Sequence, residues 1–229
     1  MCGIAGFWDL AGRTSKERLE RIVGRMAGSL RHRGPDGTGV WADAEAGVAL
    51  GHRRLAILDL SPTGQQPMLS HCGRFTVIFN GEIYNFHELR KELESLGHGF
   101  RGSSDTEIML TAVSQWGLEA ALKRFVGMFA FGLWDQRERV LHLVRDRMGE
   151  KPLYYGWSDG VFLFGSELKA LRAHPRWKTE IHPGALALPC SPCSSTPPIR
   201  PSAPAHIRRS RRSANFDRQR ARRESCPAA

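Results

Sequence analysis

The chain has 229 residues, 41% hydrophobic and 24% charged, an ordinary composition for one or two folded domains that excludes collagen-like, coiled-coil and small disulfide-scaffold architectures. Of the formal charge of +10, residues 183–229 carry +7 and the first 182 residues only +3, so the basic excess belongs to the tail and gives no basic face to the folded part.

In chain order, Thr14 and Glu17 have capping-box spacing, and Leu19, Ile22, Val23, Met26 and Leu30 then recur at helical intervals. Strand-like runs occupy Cys2–Trp8, Gly47–Gly51, Leu55–Leu60 and Phe75–Phe79. Asn85 with Glu88 opens a second helix, with Leu89, Leu93 and Leu96 on one face and Gly97 as its stop. A third helix fits Thr106–Trp116, started by Ser104 or Asp105 and closed by Gly117. Two hairpins follow: Met128–Trp134 with Val140–Val144, and Leu153–Trp157 with Val161–Phe164, the second turning at Ser158-Asp159-Gly160. Strands joined by short turns are antiparallel, so the pattern predicts an α+β fold rather than a doubly wound parallel sheet.

From Pro183 onward the composition changes. Residues 183–229 hold eight of the 13 prolines and three of the five cysteines, with no Trp or Tyr and the single Phe216. So few apolar groups cannot offset the entropy of ordering the chain, which predicts a folded domain over residues 2–182 and a disordered Pro/Arg-rich tail over 183–229. Cys2, Cys72, Cys190, Cys193 and Cys226 are odd in number and lack framework spacing, so reduced thiols are expected. No run approaches the roughly 18 apolar residues of a membrane span, and no basic segment precedes an apolar one at the N-terminus. The expectation is a cytoplasmic chain without a membrane partner.

The chemistry begins at Cys2. Methionine before a small side chain is normally trimmed, which would leave Cys2 with its own free α-amine; the amine titrates near pH 7.7–8.0 and the thiol near 8.5, so one residue supplies nucleophile and base. Gly3 and Gly6 flank Ile4-Ala5 and would admit a neighbouring backbone or a ligand. Arg31-His32-Arg33-Gly34-Pro35-Asp36-Gly37 and Phe79-Asn80-Gly81-Glu82-Ile83-Tyr84-Asn85 each look like loops held open for a polar ligand. The nine histidines show no His-x-x-x-His pair, and Cys190-Ser191-Pro192-Cys193 lacks a second pair, so no metal site is expected. Phosphate-binding glycine loops of the Gly-x-x-x-x-Gly-Lys and Gly-x-Gly-x-x-Gly kinds are absent from the sequence.

Cys2-Gly3-Ile4-Ala5-Gly6, Arg33-Gly34-Pro35-Asp36-Gly37, Arg54-Leu55-Ala56-Ile57-Leu58-Asp59, Asn80-Gly81-Glu82-Ile83-Tyr84-Asn85, Ser104-Asp105-Thr106-Glu107 and Gly127-Met128-Phe129-Ala130-Phe131 together resemble class II glutamine amidotransferases. The match is best to the N-terminal domain of glutamine-hydrolysing asparagine synthetases, a ligase family of amino-acid biosynthesis. Arg145-Asp146-Arg147-Met148-Gly149-Glu150-Lys151-Pro152-Leu153-Tyr154-Tyr155 and Ser166-Glu167-Leu168-Lys169-Ala170-Leu171 extend the resemblance. It implies an N-terminal-nucleophile hydrolase fold, a four-layer αββα sandwich of two antiparallel sheets. It also implies that Cys2 attacks the side-chain amide of L-glutamine, with the Asn80 amide and the Gly81 N–H holding the oxyanion. Arg54 would hold the α-carboxylate, Asp105 the α-ammonium with Glu82 nearby, and Leu55, Ala56, Ile57 and Leu58 would form the pocket wall.

In such synthetases a second domain uses ATP and Mg to make asparagine from aspartate; its Ser-Gly-Gly-x-Asp-Ser loop does not occur here, and the resemblance fades after Leu188. The sequence thus predicts a glutaminase domain from a truncated or frameshifted synthetase, needing no cofactor of its own, with a separate synthetase domain or a homodimer partner as its protein contacts. Two competing readings are an inactive remnant and a nucleic-acid binder acting through Arg208-Arg209-Ser210-Arg211-Arg212, Arg218, Arg220, Arg222 and Arg223.

Overall fold

The computed structural model describes residues 1–11, 14–56 and 62–178, and the backbone of Ala205–Arg208. Two five-stranded antiparallel sheets form its centre. The first has the order β2 (Gly37–Asp43), β3 (Val48–Arg54), β1 (Gly3–Asp9), β9 (Val161–Gly165), β8 (Tyr154–Ser158). The second has the order β10 (Ala205–Arg208), β7 (Val140–Arg145), β6 (Gly127–Asp135), β5 (Phe75–Ile83), β4 (Met68–Leu69).

Three apolar layers hold these sheets. Ile4, Trp8, Leu50, Ile78, Trp134 and Phe164 fill the space between them, and Trp8 meets Trp134 edge to face with ring centroids 5.4 Å apart. Outside the first sheet, α1 (Lys16–Gly28) buries Leu19, Ile22, Val23 and Met26 against Ala5, Phe7 and Ala49, with α5 (Leu168–Arg172) beside it. Outside the second, α2 (Phe86–Ser95), α3 (Asp105–Trp116) and α4 (Leu118–Arg124) cover Val77, Phe79, Phe131 and Leu133. The architecture is therefore the expected αββα sandwich. Burial of each large apolar side chain contributes about 1.5–3 kcal/mol, so the cohesion of these layers dominates the fold.

Alternation along β1 and β5 explains how two packing faces and a site coexist. On β5, Val77 and Phe79 face the helices while Ile78 faces the other sheet; Asn80 follows two residues after Ile78 and shares its face. The two glycines of β1 serve packing. A Cβ on Gly6 would lie 2.3 Å from the Phe164 ring, and one on Gly3 would lie 2.9 Å from Leu30 Cβ. Core side chains, not a ligand, occupy the space that the sequence left open.

Several local expectations are corrected. Thr14 does not cap α1: its hydroxyl donates to Asp9 Oδ2 at 3.1 Å, and Ser15 occupies the N-cap position. Asn85 precedes α2, but its side chain bonds Val126 N and Arg124 O, tying that helix to the end of α4. Leu55 and Ala56 are not strand, and the remainder of the expected Leu55–Leu60 strand lies outside the described residues. β2 and α4 were not anticipated. The 183–229 tail also lies outside them except for Ala205–Arg208, whose backbone pairs antiparallel with β7 from Ala205↔Leu143 to Arg208↔Val140. An open sheet edge offers hydrogen bonds of this kind to an extended segment.

Candidate functional site

Cys2 stands immediately before β1, at the end of the first sheet where Gly3 pairs with Arg53. Its thiol donates to the Leu55 carbonyl at 3.6 Å and accepts from Leu55 N at 3.4 Å. Burial pushes the thiol pKa up, while the Leu55 amide, the N-terminal charge and Arg54 pull it down and Asp105 pushes it up again. The carbonyl of Cys2 accepts from Arg33 Nε at 3.0 Å, and Arg33 Nη1 holds Glu167 Oε1 at 3.1 Å. His32 and Lys169 share the same carboxylate, and this cationic surround holds Glu167 at a pKa of about 2 against the opposing effect of desolvation. The loop read as a ligand cradle thus anchors the backbone of Cys2.

A cavity of about 90 Å³ opens beside the thiol. Cys2, Arg54, Leu55, Ala56, Asn80, Gly81, Glu82 and Asp105 all line it. Every expected site residue within the described chain therefore converges on one place; Ile57 and Leu58 lie outside the described residues. Asn80 is buried, and its Nδ2 has no hydrogen-bond partner among the described residues. A buried amide donor without a partner is costly, and this one belongs to a residue of the cavity wall. Gly81 follows on the same strand, where a Cβ would lie 2.4 Å from the Met128 carbonyl oxygen, so close approach of β6 requires glycine there.

Asp105 begins α3, but the cap is Ser104, whose side chain accepts from Glu107 N. Asp105 Oδ2 instead accepts from Ile83 N at 3.0 Å. Burial raises its pKa, chiefly against the Ile83 and Thr106 backbone hydrogen bonds, and Glu82 adds to the rise. The cavity therefore places an arginine, Arg54, and a pair of carboxylates, Glu82 and Asp105, around a space that ends at a thiol.

Sequence reasoning missed Gln66 and Lys151, which also line the cavity. Gln66 accepts from Phe79 N at 2.6 Å and donates to Thr106 Oγ1 at 3.2 Å, bracing β5 against α3. Its only local signal is the Pro67 that follows it. Lys151 sits in the run Gly149-Glu150-Lys151-Pro152, which carried the family resemblance without a role. Among the described residues no group of three or more metal-ligating side chains is assembled, and no helix is long and apolar enough to cross a membrane.

A family model described as glutamine amidotransferase domain matches residues 1–210. The chain belongs to the glutamine amidotransferase domain family. Within that family it is 42% identical over 183 residues to asparagine synthetase [glutamine-hydrolyzing] 3 of Bacillus subtilis, covering 79% of this chain and 29% of that protein. To asparagine synthetase [glutamine-hydrolyzing] 2 of the same organism it is 40% identical over 175 residues, covering 76% of this chain and 23% of the relative. The chain thus spans less than a third of the length of either relative, and the matching part is a glutamine amidotransferase domain. Among solved structures, the glutamine phosphoribosylpyrophosphate amidotransferase of Bacillus subtilis superposes with a TM-score of 0.63 at 24% identity, over 75% of this chain and 43% of that one. That likeness supports the fold, two antiparallel sheets sandwiched between helical layers.

Proposed function

We propose that this chain hydrolyses the side-chain amide of L-glutamine to glutamate and ammonia, with Cys2 as nucleophile after removal of Met1. The convergence of Cys2, Arg54, Asn80, Glu82 and Asp105 on one cavity carries this reading. The Arg54 guanidinium is a planar fork suited to the α-carboxylate, and Asp105 with Glu82 suits the α-ammonium. Held by that end, the substrate extends its amide toward the sulfur.

The Cys2 α-amine takes the thiol proton as Sγ bonds to the amide carbon. The resulting oxyanion takes the Asn80 Nδ2 and the Gly81 N–H as donors. Collapse breaks the C–N bond, the α-ammonium returns its proton to the departing nitrogen, and ammonia leaves a γ-glutamyl thioester. Water then attacks the thioester, its proton passes through the same amine, and the thiol is restored with release of glutamate. The relatives are named as glutamine-hydrolyzing asparagine synthetases, and in a longer protein of that kind the ammonia would serve the amination of aspartate by an ATP- and Mg-dependent synthetase domain. We place the functional unit at residues 2–182.

The test is glutamate and ammonia release from glutamine by the purified chain and by Cys2→Ala, with the N-terminal mass determined for both. Release by the parent and none by the variant supports the reading; equal rates refute it.

A further inference from the structure

Lys151 lies in the loop between β7 and β8 and is 6% exposed. Its backbone is pinned from both sides: the amide donates to Asp146 Oδ2 at 3.0 Å, and the carbonyl accepts from Arg145 Nε at 2.7 Å. The ammonium points into the cavity, 3.5 Å from Met1 Sδ. A thioether is a weak acceptor, and among the described residues no carboxylate forms an ion pair with Lys151. Burial of an ammonium against so poor a partner is expensive unless its charge acts elsewhere. Arg33 Nη2 also reaches the Met1 sulfur, at 3.9 Å, but Arg33 is engaged by Glu167. The first methionine is therefore the contact that Lys151 loses when the N-terminus is processed.

We propose that Lys151 is a positioning residue, placing a buried positive charge in the wall of the cavity that Cys2 also lines, where it keeps the α-amine and thiol of the processed Cys2 in their deprotonated, reactive forms. The inference rests on the reading of Cys2 as a processed N-terminal nucleophile. The charged groups facing the cavity are Arg54 from β3, Glu82 from β5, Asp105 from α3 and Lys151 from the β7–β8 loop. Arg33 and Glu167 adjoin it as a mutually compensated pair that also involves His32 and Lys169; His52, buried on β3, is neutral at pH 7. Counted as side chains alone, the facing set is balanced with Lys151 and carries one excess carboxylate without it. A nearby cation lowers the proton affinity of an amine and of a thiol alike, so the direction of the effect is the same whichever group releases its proton first.

The test uses the full chain with Cys2 at its terminus, verified by mass and obtained where necessary by cutting off an N-terminal extension immediately before Cys2. The rate of Cys2 alkylation by iodoacetamide is followed from pH 6 to 10 on the N-terminal peptide, in parallel with the pH profile of glutamine hydrolysis. Lys151→Met moves the alkylation midpoint upward by about one pH unit and depresses hydrolysis more at pH 7 than at pH 9, while Lys151→Arg leaves the midpoint in place. An unmoved midpoint in Lys151→Met, or an equal shift in Lys151→Arg, overturns the proposal. Lys151→Gln carries the same test should the methionine variant fail to fold. A midpoint that moves in Lys151→Met while the parent chain releases no ammonia would refute the glutaminase reading and leave the role of Lys151 standing.

Discussion

His52 Nε2 on β3 lies 3.1 Å from the Phe79 carbonyl on β5, a hydrogen bond that crosses from one sheet to the other one residue before Asn80. A carbonyl only accepts, so the ring donates through Nε2. Any tilt of the sheets that breaks this bond also displaces the proposed oxyanion donor.

Acid should therefore loosen the fold before it reaches the carboxylates. Burial holds His52 at a pKa of about 4, with Arg54 and Arg53 helping and the Phe79 carbonyl opposing; burial likewise holds His174 at about 4, aided by Arg176. Both sites lie below their unfolded value, so the unfolded chain binds more protons as pH falls from 6.5 toward 4, and stability drops through that window. The His52 contribution is about 3 kcal/mol. Urea unfolding at pH steps from 7 to 4 checks this, and His52→Gln should flatten part of the slope.

Asn80→Ala should lower kcat for glutamine roughly 100- to 1,000-fold with little change in KM, because the donor is engaged only once the oxyanion forms. Its Nδ2 has no partner among the described residues, so thermal stability should move little. Steady-state kinetics with a melting curve on the same sample separates the two effects; a stability loss that accounts for the lost rate would contradict the role.

Asp105→Asn should raise KM for glutamine far more than it lowers kcat. In the parent, KM should also rise on acidification, and at a higher pH than an ordinary aspartate would produce, since burial raises the pKa of this carboxyl. Protonation removes the charge that the substrate ammonium requires. A KM independent of pH from 4 to 7 would exclude Asp105 from substrate binding.

Arg33→Ala should cut kcat about 10- to 100-fold by freeing the Cys2 carbonyl, since small displacements of a nucleophile are costly. Arg33→Lys restores charge beside Glu167 without the fork that reaches both partners, so recovery should be partial. Glutamine kinetics of the two variants, with alkylation of Cys2 as a control for thiol access, tests this.

Most of the architecture was legible because hydrophobic period reports directly on sheet and helix faces. The turn at Ser158-Asp159-Gly160 is one case: Asp159 and Gly160 both adopt positive φ, 48° and 75°, as a tight hairpin demands. β2 was not legible, since its partly exposed edge position and its glycines erase the alternation. Gly39 is required there because a Cβ would lie 2.1 Å from the Gln66 carbonyl oxygen, a contact 27 residues away that no local pattern encodes. The site was legible through its motif order. Lys151 and Gln66 were not, because what defines them is burial against distant elements.

The strand contributed by Ala205–Arg208 covers the outer edge of β7. A chain cut at residue 182 would present that row of amides and carbonyls uncapped, ready to recruit the same edge of a second molecule. Such a shortened protein should self-associate with rising concentration even where the cavity beside Cys2 is untouched, which light scattering would register as a growing particle mass.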